Sequence, residues 1–518
     1  MAQRSRTWTL SGDAGPLWQL ALFLLLGMGM CFVILFGMNK MQSSAATVGL
    51  AAILLGPPLA VVGYVITKQV VSAELTLLSN LKWWHWLWFV IFASGLVFRQ
   101  RAATTVYTAP VDTAAIYRIF LVFSCAGWLL LALFTRSVHW VESLFRGMLG
   151  CLTIFALYAA LTTVWSVYPT WTLYKACEYS VDLAALAAIL LIVKSIDDFK
   201  SLFDWTWTFF GLALISAYVS AIIDPKDALE HGYSLGSLGV RLKGVYPMQG
   251  ANRIGDLSAI MCVIALVRWL PMEGKCRKNS FYIFLGLFGG VTLILSQTRT
   301  AMLGCAVGAF VVLWVGNRIN LRSLLTWGSA GAVVLTFVMA ATPVGDVVMT
   351  FLRRGQTDQQ ISSLSGRLLW WETAYDLYSR TPLGIGMGAF AAEKVPILNA
   401  IGLAGETLHS DYMETLLGMG WYGLTPLILS LAGTWWFLFK NVHHPGRSPM
   451  ERQTCLEAMG VLGVLTVRTV FMDIMILHPA QHYFVILGLA EWFRRNHLPD
   501  VKFGRVSATS FQPMSYRG

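Results

Sequence analysis

The chain has 518 residues, of which 56% are hydrophobic and 13% charged, and its formal net charge is +11. Because an ordinary soluble domain carries about twice this charged fraction, the composition excludes a soluble protein and predicts an integral membrane protein. The basic tail after Trp492 is more typical of an anchor at anionic lipid than of a nucleic-acid site. We therefore expect membrane lipid, and no nucleic acid, among its partners.

Apolar runs of roughly bilayer-spanning length follow one another along most of the chain. The first run is longer than a signal-peptide core and no convincing cleavage site follows it, so we interpret it as a retained transmembrane helix. The runs lie at 16–37, 46–66, 83–98, 114–134, 147–167, 176–193, 203–223, 255–270, 281–297, 300–315, 323–342, 416–438, 456–476 and 480–493. Their number is even, which returns the C-terminus to the side of the N-terminus.

The distribution of Lys and Arg orients these runs. Most of the 38 basic residues fall on the side of the termini, and cytoplasmic loops collect such residues, so both termini are expected in the cytoplasm. The predicted organisation is transmembrane helices 1–11 in residues 1–342 with an outer loop at 224–253, an outer catalytic loop at 343–415, transmembrane helices 12–14 in 416–493 and a cytoplasmic tail at 494–518.

Some cations lie on the opposite, outer face, and these indicate an anionic ligand there. Arg299 occupies the tight turn between two predicted spans, where there is little room for an idle guanidinium. The others are in the two long outer loops: Arg241, Lys243, Arg253, Arg353, Arg354, Arg367 and Arg380. The alternative is that long loops cross the membrane whatever their charge.

The stretch from Ser362 to Gly423 is the longest polar-rich insertion. Residues 366–379 have the periodicity of an amphipathic helix, which Pro382 ends, with Arg367, Trp371, Ala374 and Tyr378 on one face. The glycine-rich run 384–388 is interpreted as a flexible loop that closes over a site. His409 precedes an apolar run, where an imidazole at a wet interface can accept a proton from a hydroxyl.

Three strings in this part of the chain resemble the bacterial O-antigen ligase and polymerase superfamily and follow its order. They are SQTRTA at 296–301, SGRLLWWETAYDLYSRTPLGIGMGAF at 365–390 and LHSDYMETLLGMGWYGL at 408–424. The resemblance implies an all-α, GT-C-like bundle of about 12–14 transmembrane helices in the bacterial inner membrane, with a long, partly helical periplasmic loop. It also implies a periplasmic active site that needs neither cofactor nor metal.

The roles that the resemblance implies fall on particular residues of this sequence. Arg299 and Arg367 would hold the diphosphate of the donor lipid, with help from Arg241 or Arg253, and His409 would be the catalytic base. Asp411, Tyr412 and Glu414 are candidate supports for the imidazole, although Asp411 stands where many relatives carry asparagine. Each residue also has a structural alternative. In that alternative His409 satisfies backbone groups at a helix terminus, Arg367 is a solvated helix residue, and Asp411 and Glu414 favour the start of a helix.

Seven charges inside the predicted spans support a transporter alternative, because such groups are costly in lipid and often functional. They are Arg118, Glu178, Asp182, Asp256, Arg468, Asp473 and Glu491. We expect Arg468 and Asp473 to pair with each other. His478 and His482 have the spacing of metal ligands on a helix, but Pro479 interrupts them, and no metal site is predicted.

The function expected from the resemblance is glycosyl transfer, with inversion, from a glycan on undecaprenyl diphosphate to a sugar hydroxyl of a glycan acceptor. Polymerisation of exopolysaccharide or O-antigen repeat units, with a chain-length regulator as a further partner, is favoured. The alternatives are ligation of the glycan to lipid A core, and transport of a lipid-linked anionic sugar by a flippase.

Overall fold

The structure is a computed structural model of the chain. It describes residues 81–96, 113–135, 139–231, 240–270, 272, 280–317, 353, 356–388, 408–475 and 480–496. The apolar runs predicted at 16–37, 46–66 and 323–342 lie outside these residues.

The described part of the chain is built almost entirely of helices. In chain order they are α1 His85–Leu96, α2 Thr113–Thr135, α3 His139–Leu144, α4 Gly147–Thr162, α5 Pro169–Ile192, α6 Ile196–Ile223, α7 Pro225–Ala228, α8 Ala251–Trp269, α9 Ser280–Ser296, α10 Arg299–Val315, α11 Asp358–Ser362, α12 Arg367–Arg380, α13 Asp411–Val442, α14 Pro449–Phe471 and α15 Gln481–Arg495. Each predicted run within the described residues overlaps one of these helices.

Among the described residues, three helices, α6, α13 and α14, are long and apolar enough to cross a membrane by length and composition. Serine caps begin all three: Ser195, Ser410 and Ser448 each accept a hydrogen bond from a backbone N–H of the first helical turn, as expected for this residue type. The protein is therefore an all-α polytopic membrane protein, which confirms the predicted fold class.

Helices α8, α10 and α14 pack closely together and support the part of the molecule that carries the polar residues singled out in the sequence. A methyl group on Gly308 of α10 would lie 2.6 Å from the carbonyl oxygen of Gly460 on α14. Small residues allow such close approach of helix backbones in a membrane. The beginning of α10, the beginning of α8 and the end of α14 consequently lie side by side.

The segment 224–253, predicted as an outer loop, contains short elements of secondary structure. Strand β1 (Leu229–His231) pairs with β2 (Val240–Leu242), and β3 (Gly244–Val245) pairs with β4 (Met248–Gln249), both antiparallel. The next helix begins at Ala251, four residues before the predicted apolar run, because the polar residues after Gln249 form its first turn.

The prediction of a flexible closing loop at 384–388 is wrong. Ile385 and Met387 are buried, at 5% and 1% exposure. The backbone of Ile385 and Gly386 donates to the carbonyls of Leu417 and Gly418 at 3.0 and 2.8 Å, while Thr172 donates to the carbonyl of Met387 at 3.0 Å. The glycines serve close packing: Gly386 has a φ of +108° and touches Ser166, so a side chain there has no room.

Candidate active site

Three helices begin at the polar residues singled out in the sequence. Arg299 is the first residue of α10, Arg367 is the first residue of α12, and His409 lies two residues before α13. Helix starts leave backbone N–H groups without intrahelical partners and favour negative charge. Each of these turns therefore places a basic side chain at, or next to, a helix end that favours negative charge.

The backbone at these turns is strained. Gln297, Ser365 and His409 have φ values of 50°, 63° and 52°, in the left-handed region that side chains other than glycine rarely adopt. Such conformations cluster at functional sites, where the surrounding structure holds them in place. Each of the three lies within two residues of Arg299 or Arg367, or is the candidate base itself.

A bridging glutamine connects the turn that carries Arg299 with the turn that carries Arg367. The Nη2 of Arg299 donates to Gln356 Oε1 at 2.6 Å, and Gln356 Nε2 donates to Ser365 Oγ at 2.8 Å. Ser365 precedes Arg367 by two residues on the turn that starts α12. The arginine turn at α10 and the arginine turn at α12 are thereby held together.

Positive charge is in excess around Arg367. Burial lowers the pKa of the Arg367 guanidinium, and the neighbouring charges of Arg468 and Arg299 lower it further, while Asp473 opposes this. Within the described part of the chain Arg367 has no ion-pair partner. Since a guanidinium stays protonated in proteins, the site favours an anion.

His409 is half-buried between an aromatic ring and a carboxylate. Its ring centroid lies 6.0 Å from that of Trp370, which is on the first turn of α12. Its Nδ1 lies 3.6 Å from Oδ1 of Asp473, a separation suited to electrostatic attraction but too long for a hydrogen bond. Through Trp370 the imidazole adjoins the helix turn that carries Arg367.

Two of the three predicted support residues, Asp411 and Glu414, bind backbone groups close to His409. Asp411 accepts the backbone N–H groups of Ile474 and Met475 at 3.2 and 2.9 Å, which fixes the turn that presents Asp473. Glu414 accepts the N–H of Leu408 at 2.9 Å. The hydroxyl of Tyr412 accepts a hydrogen bond from Thr469 at 3.2 Å.

A tryptophan on α12 also holds this turn, since Trp371 Nε1 donates to the carbonyl of Leu408 at 2.9 Å. The helix that carries Arg367 and the turn that carries His409 are thus joined next to the imidazole. The amphipathic face predicted for this helix is confirmed: Ala374 is buried, and Arg367, Trp371 and Tyr378 are half-buried.

Arg241 lies beside the Arg299 turn, and its donors are directed to protein groups. Its Nε donates to the carbonyl of Ser296 at 2.8 Å and its Nη2 to Asn252 Oδ1 at 2.6 Å. Glu230, across the hairpin, lies 3.8 Å from its Nη1. In this arrangement Arg241 shapes the turn that carries Arg299.

Arg253 lies on the first turn of α8, half-buried, three residues before Asp256. The charges of Asp256 and Arg118 act on it. Arg241, which binds the carbonyl of Ser296, lies next to the turn that carries Arg299.

The expected pairing of Arg468 with Asp473 is wrong. Arg468 forms an ion pair with Asp256 on α8, and its Nη2 donates to Asp256 Oδ2 at 3.0 Å. Helix α14 ends at Phe471, so Asp473 lies beyond the helix and turns towards His409. Both residues were visible in the sequence as charges within an apolar run, but sequence proximity suggested the wrong partners.

No group of three or more His, Cys, Asp or Glu side chains arranged for a metal occurs among the described residues. His482 is on the first turn of α15 and its ring packs edge-on to Phe210 at 5.8 Å. Its proposed companion His478 lies outside the described residues.

Fold and site together define a polytopic helical membrane protein with a cationic site beside a histidine. Residues 283–428, a little over a quarter of the chain, match the family model described as O-antigen ligase. This match confirms the resemblance to the O-antigen ligase and polymerase superfamily and supports glycosyl transfer of the ligase or polymerase type. It includes Arg299, Arg367 and His409. A search of curated proteins found no match.

Proposed function

We propose that the protein transfers a glycan from undecaprenyl diphosphate to the hydroxyl of an acceptor sugar, with inversion and without a metal. The observation that carries this proposal is the excess of positive charge at Arg367, beside a histidine that has a carboxylate behind it. Cations suit a diphosphate, and a half-buried imidazole suits a hydroxyl nucleophile.

In this proposal Arg299 and Arg367 hold the donor diphosphate. A guanidinium presents a planar fork of donors that matches phosphate oxygens. The same two groups stabilise the charge that the diphosphate gains as it leaves, which is where an enzyme lowers the barrier most effectively. Gln356 keeps the two arginine turns at a fixed separation.

His409 accepts the proton of the acceptor hydroxyl. Its Nδ1 faces Asp473, so the other ring nitrogen, Nε2, is the one assigned to the substrate. The carboxylate of Asp473 stabilises the imidazolium that forms, as carboxylates do in comparable catalytic pairs. A contact of 3.6 Å in the free protein is compatible with a hydrogen bond that forms on substrate binding.

The bonds formed and broken in this reaction balance without a cofactor. The acceptor oxygen attacks the anomeric carbon from the face opposite the diphosphate, and its proton passes to His409. The bond between the anomeric carbon and the diphosphate oxygen breaks, and undecaprenyl diphosphate leaves with the electron pair. One displacement inverts the configuration at the anomeric carbon.

We favour polymerisation of exopolysaccharide or O-antigen units in the inner membrane, with the site in the periplasm and both termini in the cytoplasm. A chain-length regulator is the partner that a polymerase would need. Ligation to lipid A core is the alternative for the same chemistry.

Several of the in-span charges that a transporter would use form ion pairs between and within helices. Glu178 pairs with both Arg118 and Lys175, the latter at 2.9 Å, and Arg468 pairs with Asp256. These contacts are consistent with a structural use of the charges, so the transporter alternative has less support than transfer.

Purified protein in proteoliposomes with lipid-linked oligosaccharide separates the two. Polymer formed without any nucleotide sugar supports transfer, whereas movement of the lipid between leaflets without polymer supports transport. Deletion of the gene then distinguishes the acceptors: single repeat units capped on the core indicate a lost polymerase, and free polymer on the carrier lipid indicates a lost ligase.

A further inference from the structure

We infer that the buried pair of Arg468 and Asp256 is a positioning unit that sets the separation between Arg299 and His409. This inference rests on the proposed transfer reaction, and it assigns to these residues a task beyond the stability of the helix bundle.

Arg468 is fully enclosed, with 0% exposure, and Asp256 is 8% exposed. The guanidinium contacts three oxygen atoms on two other helices: both carboxylate oxygens of Asp256 on α8, and the hydroxyl of Thr300 on α10. Thr300 directly follows Arg299. The Arg468 guanidinium is thus bound to the neighbour of Arg299, which is the first candidate diphosphate ligand.

The other connection of Arg468 runs through its own helix. The last turn of α14 holds Arg468, and two residues after the helix end the chain presents Asp473 to His409. Asp411, on the other side of His409, binds the backbone of Ile474 and Met475. Five positions of the chain therefore separate Arg468, which contacts Thr300, from Asp473, which faces the imidazole.

Stability alone is a weak reason for such a pair. Charges are costly to bury in a membrane, and replacing a buried ion pair with apolar residues of similar volume is often neutral or stabilising. The close packing of α8, α10 and α14 would persist with apolar side chains. Apolar side chains would, however, remove the hydrogen bond that links α14 to the start of α10.

The Arg468 guanidinium is buried and bound to Asp256 and Thr300, so it does not contact the substrate in this proposal. It acts through the residues that it positions. Its loss should disturb the alignment of Arg299 and His409 while both still contact their substrates. The proposal therefore predicts a change in turnover with little change in donor affinity, because small misplacements of reacting groups cost rate more than binding.

The test replaces the pair together, as Arg468→Met with Asp256→Leu, so that no charge is left buried alone. In reconstituted protein we expect kcat to fall about 100-fold while KM for lipid-linked oligosaccharide stays within about threefold and the melting temperature is retained. A kcat equal to that of the unaltered protein, in folded double variant, would overturn the inference.

Thr300→Val is the second variant, for the case in which the double variant does not fold. It removes only the link to α10, and we expect kcat of the folded variant to fall about tenfold. Thr454→Val is its matched control, because Thr454 bonds only within its own helix at the far end of α14. Wild-type kcat in Thr300→Val contradicts the positioning role.

The failure of the inference is distinguishable from that of the proposed function. His409→Ala measured in the same preparation tests the reaction itself. If His409→Ala is inactive while the Arg468 and Thr300 variants are fully active, the reaction stands and the positioning role falls. If His409→Ala is active, the proposed function fails.

Discussion

The Nδ1 of His409 lies 3.6 Å from Oδ1 of Asp473, although 64 residues separate them in the chain. The two meet because Asp411, two residues after the histidine, binds the backbone immediately after Asp473. A carboxylate thus lies beside the Nδ1 of the candidate base.

Asp473→Asn should lower kcat about 100-fold, because an amide stabilises an imidazolium less well and can favour the wrong tautomer. Donor KM should stay the same or fall, since Asp473 is not a ligand of the diphosphate in the proposed reaction and its carboxylate offsets part of the positive charge at Arg367. Turnover of lipid-linked oligosaccharide in proteoliposomes measures both. Asp376→Asn, an exposed carboxylate on α12, is the control, and equal activity of the two variants contradicts the assignment.

Arg367→Gln should raise donor KM at least tenfold, because it removes a bidentate phosphate ligand whose loss costs more than about 1.4 kcal/mol. Arg380→Gln tests whether any arginine of this helix has the same effect, since Arg380 is exposed at its other end. We expect Arg380→Gln to behave as the unaltered protein. Equal KM values for the two variants would exclude Arg367 as a diphosphate ligand.

Inorganic pyrophosphate should raise the melting temperature of the protein. Burial and the neighbouring cations lower the pKa of Arg367, which means that they oppose its charged form, so an anion that neutralises this charge favours the folded state. A ligand at 100 times its Kd stabilises by about 2.7 kcal/mol. Thermal denaturation of the Arg299→Gln, Arg367→Gln double variant should show no such shift, and an equal shift would place the anion elsewhere.

Gly386→Ala should lower the yield of folded protein sharply, because the methyl group meets Ser166 and the φ of +108° is unsuited to alanine. Gly127→Ala is the matched control, since nothing lies within 4 Å of the position where its methyl group would be. Size-exclusion chromatography of both variants after detergent extraction measures the outcome. Similar recovery of the two would indicate that the 381–388 segment is mobile after all.

The sequence predicted the helices, and it pointed to candidate site residues on separate grounds. Apolar runs of bilayer length must be helical, since their backbone has no other partner in lipid. Arg299, Arg367 and His409 stood out because polar residues interrupt the apolar pattern there. Their motifs lie within the segment that matches the O-antigen ligase family.

The sequence could not predict which residues meet across the bundle. Arg468 and Asp473 are five residues apart and of opposite charge, which favours a local pair, yet the helix ends between them and each turns to a distant partner. A run of alternating glycines is compatible with two opposite structures, a mobile loop and a closely packed segment. Only its hydrogen bonds to α5 and α13 distinguish them.

Comparison of His409→Ala with the unaltered protein is the most direct test of the central claim. Both are supplied with lipid-linked oligosaccharide in proteoliposomes, and donor binding and glycan product are measured in the same samples. The account predicts that the variant binds the donor with unchanged affinity and forms no product. Product formed by the variant at the normal rate would contradict it.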